Sequence, residues 1–254
     1  MLTLALPSRI GVLGDVHGDM ASLVRGGFQV ARKHGITHIV QVGDFWLYDP
    51  RDLAKIDRQA ALHGVEALWF YDGNHENFTT LGDRVDRPGG HRMSEVLTYL
   101  GRGTRFSVGR RSAVALGGAA STDRLHNAKN RIEGKGWWAR EVITPYDARA
   151  AADGGKADIL FSHDVSSSGM YAHGLSYRST DTITEVAERT SRRNLSLVEM
   201  EVEPELVVHG HFHLAKISER YASLGRNTKP GFFGILDSET LTVDLLLEGN
   251  SSDG

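Results

Sequence analysis

Three apolar runs constrain the fold most. Residues 10–13, 36–42 and 65–71 stop at Gly14-Asp15, Gly43-Asp44 and Asp72-Gly73-Asn74. Each run has strand length, and the segments between them, 20–34 and 51–63, carry apolar residues at helical spacing. Strand-helix-strand-helix-strand implies a parallel sheet covered by helices. Further strand-like runs follow at 112–116, 157–161 and 205–208. A helix over 145–152 has Pro145 in its first turn and ends before Gly154 and Gly155, and the spacing predicts another over 182–195. Beyond residue 213 the pattern changes to short β segments at 215–221, 231–236 and 241–246, which read as hairpins.

With 254 residues, 40% apolar and 24% charged, the chain has the material for one large α/β domain. Without an internal repeat or low-complexity linker, the expectation is a single domain over 1–248 and a flexible tail at 249–254. The net charge of −3 excludes a global basic field of the kind that advertises nucleic-acid binding. Cysteine is absent, so any metal must sit on oxygen and nitrogen donors. No charged, apolar leader opens the sequence and no run approaches the roughly 18 apolar residues of a membrane span. The expected setting is the cytoplasm, without a membrane partner.

Six islands carry the chemistry: GDVHGD at 14–19, GDFW at 43–46, GNHE at 73–76, GGAASTDR at 117–124, SHD at 162–164 and HGHFH at 209–213. Five bring Asp, His or Asn to the expected end of a strand, where open α/β sheets place ligands. Asp15 and His17 stand two apart, so a carboxylate and an imidazole can reach one ion, and His211 and His213 repeat that spacing. Asp44 has two oxygens to share between cations, Asn74 a carbonyl oxygen, and His163 another imidazole. Seven such donors suit two ions that keep positions open for water and phosphate. A single His or Asp in such a place is more often a cap or surface group. Accordingly His34, His38, His63, His91, His126 and His173 are read as ordinary structural residues, and it is the ordered set that points to metal. Neither a dinucleotide fingerprint nor a phosphate loop is completed by GVLGDVHG, Gly134-Lys135 or Gly155-Lys156.

The order D-x-H, GD, GNH[DE], H, GHxH over residues 15–213 resembles the signature of the calcineurin-like metallophosphoesterase superfamily. The resemblance implies a four-layer αββα double β-sandwich around a binuclear centre. By position, Asp15, His17, Asp44 and His213 would hold one ion and Asp44, Asn74, His163 and His211 the other, with Mn²⁺ expected and Fe or Zn²⁺ as alternatives. His75 matches the family's histidine that contacts phosphate and protonates the leaving group, after in-line attack by a hydroxide bridging the two ions. The phosphoprotein phosphatase branch continues its second motif with Asp-Arg-Gly, whereas Phe45-Trp46-Leu47 stands here. Leu47 thus replaces the acid expected to orient His75, leaving Asp49 or Asp72 as substitutes, and the phosphatase arginine has no clear counterpart.

GGAASTDR, Arg131 and Trp137-Trp138-x-x-Glu141 resemble a segment of bacterial and phage-encoded members of the superfamily. Residues 124–140 hold five basic side chains against Glu133 alone, and bases beside aromatics suit a stacked nucleotide. Arg124, Arg131, Trp137, Trp138 and Arg178 are therefore the candidate substrate contacts. Tyr171 and His173 are read beside the site, and residues 166–169 as a flexible rim. The expected function is hydrolysis of phosphodiesters such as nucleotides, cyclic nucleotides or nucleic-acid (RNA) ends. The alternatives are a phosphomonoesterase, protein phosphatases included, and a non-catalytic scaffold. Scaffold members of the fold lose ligands, whereas all seven positions are filled here. Oligomeric state is not legible.

Overall fold

The computed structural model describes residues 4–121, 132–176 and 182–247. Two mixed seven-stranded sheets pack face to face. One is built around parallel β2 (Arg9–Leu13), β3 (His38–Gln41) and β4 (Ala67–Phe70), continued by β6 (Leu97–Leu100). The other is built around parallel β8 (Arg111–Leu116), β9 (Ile159–Ser162) and β10 (Leu206–His209), continued by β12 (Tyr221–Ser223).

Side-chain alternation makes these layers. In β3, Val40 points into the space between the sheets and Ile39 points outward against helices. In β9, Ile159 and Phe161 point inward while Leu160 points outward. Each strand is thus buried on both faces, which is why the runs read as continuously apolar rather than alternating. Between the sheets, Val12, Val40 and Tyr71 meet Phe106, Ala115, Phe161 and Val208. Burying side chains such as Phe161 stabilises the fold by about 2 kcal/mol each.

The outer face of the first sheet is covered by α1 (Met20–Ser22), a π-helical turn (Leu23–Phe28), α2 (Gln29–Lys33) and α3 (Pro50–His63). Asp49 caps α3 by accepting from the Arg51 and Asp52 amides, and Gly64 ends it with φ 71°. The second sheet is covered by α5 (Pro145–Ala152) and α7 (Thr182–Val202), whose Ala148, Leu195 and Val198 pack on Val114 and Val207. The four layers match the expected double β-sandwich.

Several segments differ from the sequence reading. The run at 215–221 is a tight hairpin, β11 (Lys216–Ser218) turning at Glu219 into β12. The hairpin of β13 (Phe233–Asp237) and β14 (Thr242–Leu245) joins the first sheet antiparallel to β2. Helix α7 continues seven residues past the expected end at 195. Residues 166–169, expected as a flexible rim, open helix α6 (Ser167–His173), where Ser166 accepts from the Gly169 amide. The expected tail 249–254 lies outside the described residues. Among the described residues, no helix is long and apolar enough to cross a membrane.

Candidate metal centre

The carboxyl ends of β2, β3 and β4 in one sheet and of β9 and β10 in the other converge on one place. Asp15 and His17 follow β2, Asp44 follows β3, and Asn74 and His75 follow β4. His163 follows β9, and His211 and His213 follow β10. Parallel strands put all these loops on the same edge, so the seven expected donors meet although they span most of the chain.

Asp15, His17 and His213 form one group with ligand atoms within 4.8 Å of one another, and Asp15, Asp44 and His163 form another. His17 Nε2 lies 3.0 Å from His213 Nε2, which in turn lies 3.3 Å from Asp15 Oδ2. Asp44 points Oδ2 toward His17 Nδ1 at 3.8 Å and Oδ1 toward His163 Nε2 at 3.3 Å. Its carboxylate therefore stands between the two histidine sets. Asn74 Oδ1 is 3.3 Å from His163 Nε2. The His211 ring packs edge-on against His163, centroids 5.1 Å apart, and its amide donates to Asp15. His75 joins a third group with His17 and Asp44, and its amide donates to Asp44 Oδ1 at 2.8 Å.

The donors are held for binding rather than for packing. His163 Nδ1 donates to the Val42 carbonyl at 2.7 Å, which turns Nε2 toward the site. His17, Asp44, His211 and His213 all have positive φ, between 49° and 68°. Such backbone costs about 1–3 kcal/mol per residue and clusters at functional sites. A Cβ on Gly73 would fall 2.1 Å from Asp44 Oδ1, and one on Gly210 2.2 Å from Asp15 Oδ1, so the chain makes room for the donors.

The electrostatics point the same way. Burial opposes charge on His163, but Asp44 outweighs it and raises the imidazole pKa to about 10. Burial likewise opposes ionisation of Asp44, yet His163, His75 and His17 hold it well below the carboxylate range. Burial lowers His17 and His211, which favours their neutral, ligating forms. The cluster retains a proton where positive charge is wanted, and a cation would supply that charge in its stead. Nitrogen and oxygen donors in this arrangement fit two divalent cations.

Other expectations fare differently. Leu47 is buried in the core against the helices. Of the two proposed substitutes, Asp49 caps helix α3, and buried Asp72 accepts from Tyr99 Oη (2.7 Å) and from Arg102 Nη2 (2.7 Å) and Nε (3.0 Å). The described part of GGAASTDR, residues 117–121, is buried rather than a rim, with the Gly118 amide donating to the Asp72 carbonyl. Trp138 is buried, its Nε1 donating to Thr79 Oγ1 at 3.2 Å, while Trp137 is half-buried. Arg124, Arg131 and Arg178 lie outside the described residues. Tyr171 is 88% exposed, and buried His173 pairs with His209, Nε2 to Nε2, at 2.9 Å.

Two residues escaped the sequence reading. Glu76 is fully buried and accepts from the Phe45 and Trp46 amides at 2.7 and 3.1 Å, pinning the turn in which Asp44 and Trp46 have positive φ. Burial, then the charge of Asp44, pushes its pKa up to about 8. Trp46 is 40% exposed, and its indole overlies Gly18, next to His17. Glu76 belongs to the GNHE island, and that position was the one signal available. Trp46 was legible only as a departure from the phosphatase pattern.

A model of the calcineurin-like phosphoesterase family matches residues 8–215. The chain belongs to that family, whose members are binuclear, divalent-metal-dependent phosphoester hydrolases. No curated protein matches the sequence significantly. Among solved structures, a dimetal phosphatase from Danio rerio is similar at 13% identity, covering 89% of this chain and 91% of that one, with a TM-score of 0.47. A phosphatase from Mycoplasma pneumoniae is similar at 12% identity, covering 92% and 90%, with a TM-score of 0.44. A hypothetical protein from Thermus thermophilus is similar at 14% identity, covering 86% and 76%, with a TM-score of 0.40.

Proposed function

We propose that this chain acts as a single domain over 1–248 and hydrolyses phosphodiesters, with nucleotides or nucleic-acid ends as the substrate class. The observation that carries the reading is Asp44 standing between two donor groups, with His75 hydrogen-bonded to it and the His75 ring 5.3 Å from that of His17. Asp15, His17, Asp44 and His213 would hold one cation and Asp44, Asn74, His163 and His211 the second, with Mn²⁺ as the favoured ion. Bound there, the cations supply Lewis acidity toward water and the phosphoryl oxygens.

The chain's own groups do the rest. Glu76 and Val42 fix the backbone turn and the imidazole that present Asp44 and His163. As water adds to phosphorus and the bond to the leaving oxygen breaks, His75 in its imidazolium form gives a ring proton to that oxygen, while the proton lost by the water passes to solvent, from which His75 is reprotonated. His75→Ala is expected to retain its metal while turnover on alkyl esters falls about 10²–10⁴-fold. p-Nitrophenyl esters, which leave without a proton, should suffer far less. Metal analysis and paired rate measurements check this, and equal losses on both ester types would remove the acid role.

Exposed Trp46 supports a substrate with a planar base, in the role the sequence had suggested for Trp137 and Trp138. Stacking is worth about 1–3 kcal/mol per base. Trp46→Ala should therefore raise KM for the p-nitrophenyl ester of thymidine 5′-monophosphate about tenfold. KM for methyl p-nitrophenyl phosphate, which has the same leaving group and no base, should stay unchanged. Diester preference itself is tested with bis-p-nitrophenyl phosphate against p-nitrophenyl phosphate in Mn²⁺. Faster monoester hydrolysis would reassign the chain to phosphomonoesters.

A further inference from the structure

The last residue of β3 is a glutamine sealed from solvent: Gln41 is fully buried. By alternation it shares the helix-covered face of the sheet with Ile39. Its register partners in β2 and β4 are Leu13 and Phe70, both members of the apolar cluster on that face. An amide in such a place is costly unless its own polar atoms are matched. Here they are. Nε2 donates both of its hydrogens, to the Gly14 carbonyl at 3.1 Å and to the Gly43 carbonyl, and Oε1 accepts from the Gly43 amide at 3.1 Å. The pattern also fixes which way the amide faces, because a flipped group would aim its oxygen at two carbonyls.

Each partner adjoins a donor of the metal centre. Gly14 precedes Asp15, and Gly43 precedes Asp44. Gly43, at φ 95°, also lies against a third donor: a Cβ there would fall 2.4 Å from His163 Nδ1, the atom that donates to the Val42 carbonyl. One side chain thus ties the loop after β2 to the loop after β3, and the second of these seats His163. Glu76 clamps the far side of the same turn through the Phe45 and Trp46 amides. Asp44 is therefore held from both ends.

We propose that Gln41 is a positioning residue of the metal centre, setting the separation of Asp15 and Asp44 and so the spacing at which two cations share the Asp44 carboxylate. The inference rests on the binuclear reading of the site. Gln41 acts through the Gly14 and Gly43 backbone. Gln41→Met keeps the length of the side chain but neither donates nor accepts as the amide does, so two carbonyls and one amide lose their buried partner.

The test uses the full chain loaded with Mn²⁺. Electron paramagnetic resonance distinguishes a spin-coupled pair of ions from isolated ones, and calorimetric Mn²⁺ titration gives the affinity of each. The wild-type chain is expected to bind two ions and show the coupled signal. Gln41→Met, folded by circular dichroism, should bind its second ion about 10–100-fold more weakly. At two ions per chain its coupled signal should be altered or lost. At saturating Mn²⁺, kcat on the faster of the two p-nitrophenyl esters should fall while KM changes little. Gln41→Asn, which keeps the amide but shortens its reach, serves if the Met variant does not fold. Asn194 is the control, a second buried amide that donates to the Ile143 carbonyl at 2.8 Å. Asn194→Ala should lose stability and keep the coupled signal. Wild-type coupling and second-ion affinity in the Gln41 variants, or the same loss of coupling in Asn194→Ala, would overturn the proposal. A wild-type chain that takes up fewer than two ions would remove the binuclear reading itself, and this inference with it.

Discussion

Replacing Asp44 with alanine is expected to leave a folded protein that no longer loads two ions and that has lost about a thousandfold in turnover. Asp44 stands between the His17 and His163 donor sets, so its removal affects both positions at once, whereas loss of His213 or Asn74 affects one. Cations contribute several kcal/mol of charge stabilisation in such reactions, and each 1.4 kcal/mol is a factor of ten; about 4 kcal/mol gives the stated loss. Without the carboxylate, His163 and His17 lose the strongest opposing charge that acts on them, and the weaker influence of Asp15 is left. Metal analysis of the dialysed variant, with circular dichroism as the folding control, checks the expectation. Full occupancy at two ions per chain would show that Asp44 does not bridge.

The largest loss of stability is expected from Arg102→Ala. Arg102 is buried behind the site, donating to Asp72 and to Asp147 Oδ2 (2.9 Å), and to the carbonyls of Arg140, Glu141 and Val142. It ties β4, α5 and the segment 140–142 into one network. Burial opposes its charge, and the two carboxylates more than offset that. Removing one partner of a buried pair leaves uncompensated charge and costs about 3–5 kcal/mol. For a domain of this size that corresponds to a fall in Tm of roughly 10 °C. Lys156–Glu203 provides the contrast: its side chains are 74% and 59% exposed, and screening should hold Lys156→Ala below about 1 kcal/mol. Urea unfolding of the two variants separates the cases, and similar losses in both would mean that Arg102 is not a structural keystone.

Much of the fold was legible because its central strands are buried on both faces and therefore read as unbroken apolar runs. Residues 78–108 were not, since α4 (Phe78–Leu81), β5 (Gly90–Arg92) and β7 (Thr104–Val108) are short and interleaved with charged side chains that pair in three dimensions. Helix α7 was read too short because its second half buries polar groups such as Glu199, which accepts from Tyr221 Oη. Residues 166–169 looked like linker by composition, yet serine is also a cap, and only tertiary packing decides between the two.

The candidate site divides along the same line. Donors were legible because ion chemistry restricts residue type and spacing. Glu76 and Arg102 were not, since holding a turn or a carboxylate needs a partner distant in sequence. Trp138 and Trp46 exchange expected places for a similar reason: indole burial depends on what packs above it, and composition cannot supply that.

The spacing of the donors also sets a timetable for the nascent chain. His17 and His213 touch across 196 residues of sequence, so the ends of β2 and β10 must both be in place before the group of Asp15, His17 and His213 is complete. On the ribosome, the site cannot assemble until the HGHFH segment has emerged and β10 has joined its sheet. Completion of that group thus comes after β10 has joined its sheet, unlike small zinc domains that fold around their metal. A chain stalled or truncated before residue 209 would carry Asp15, His17, Asp44, Asn74, His75 and His163 and still lack a complete centre.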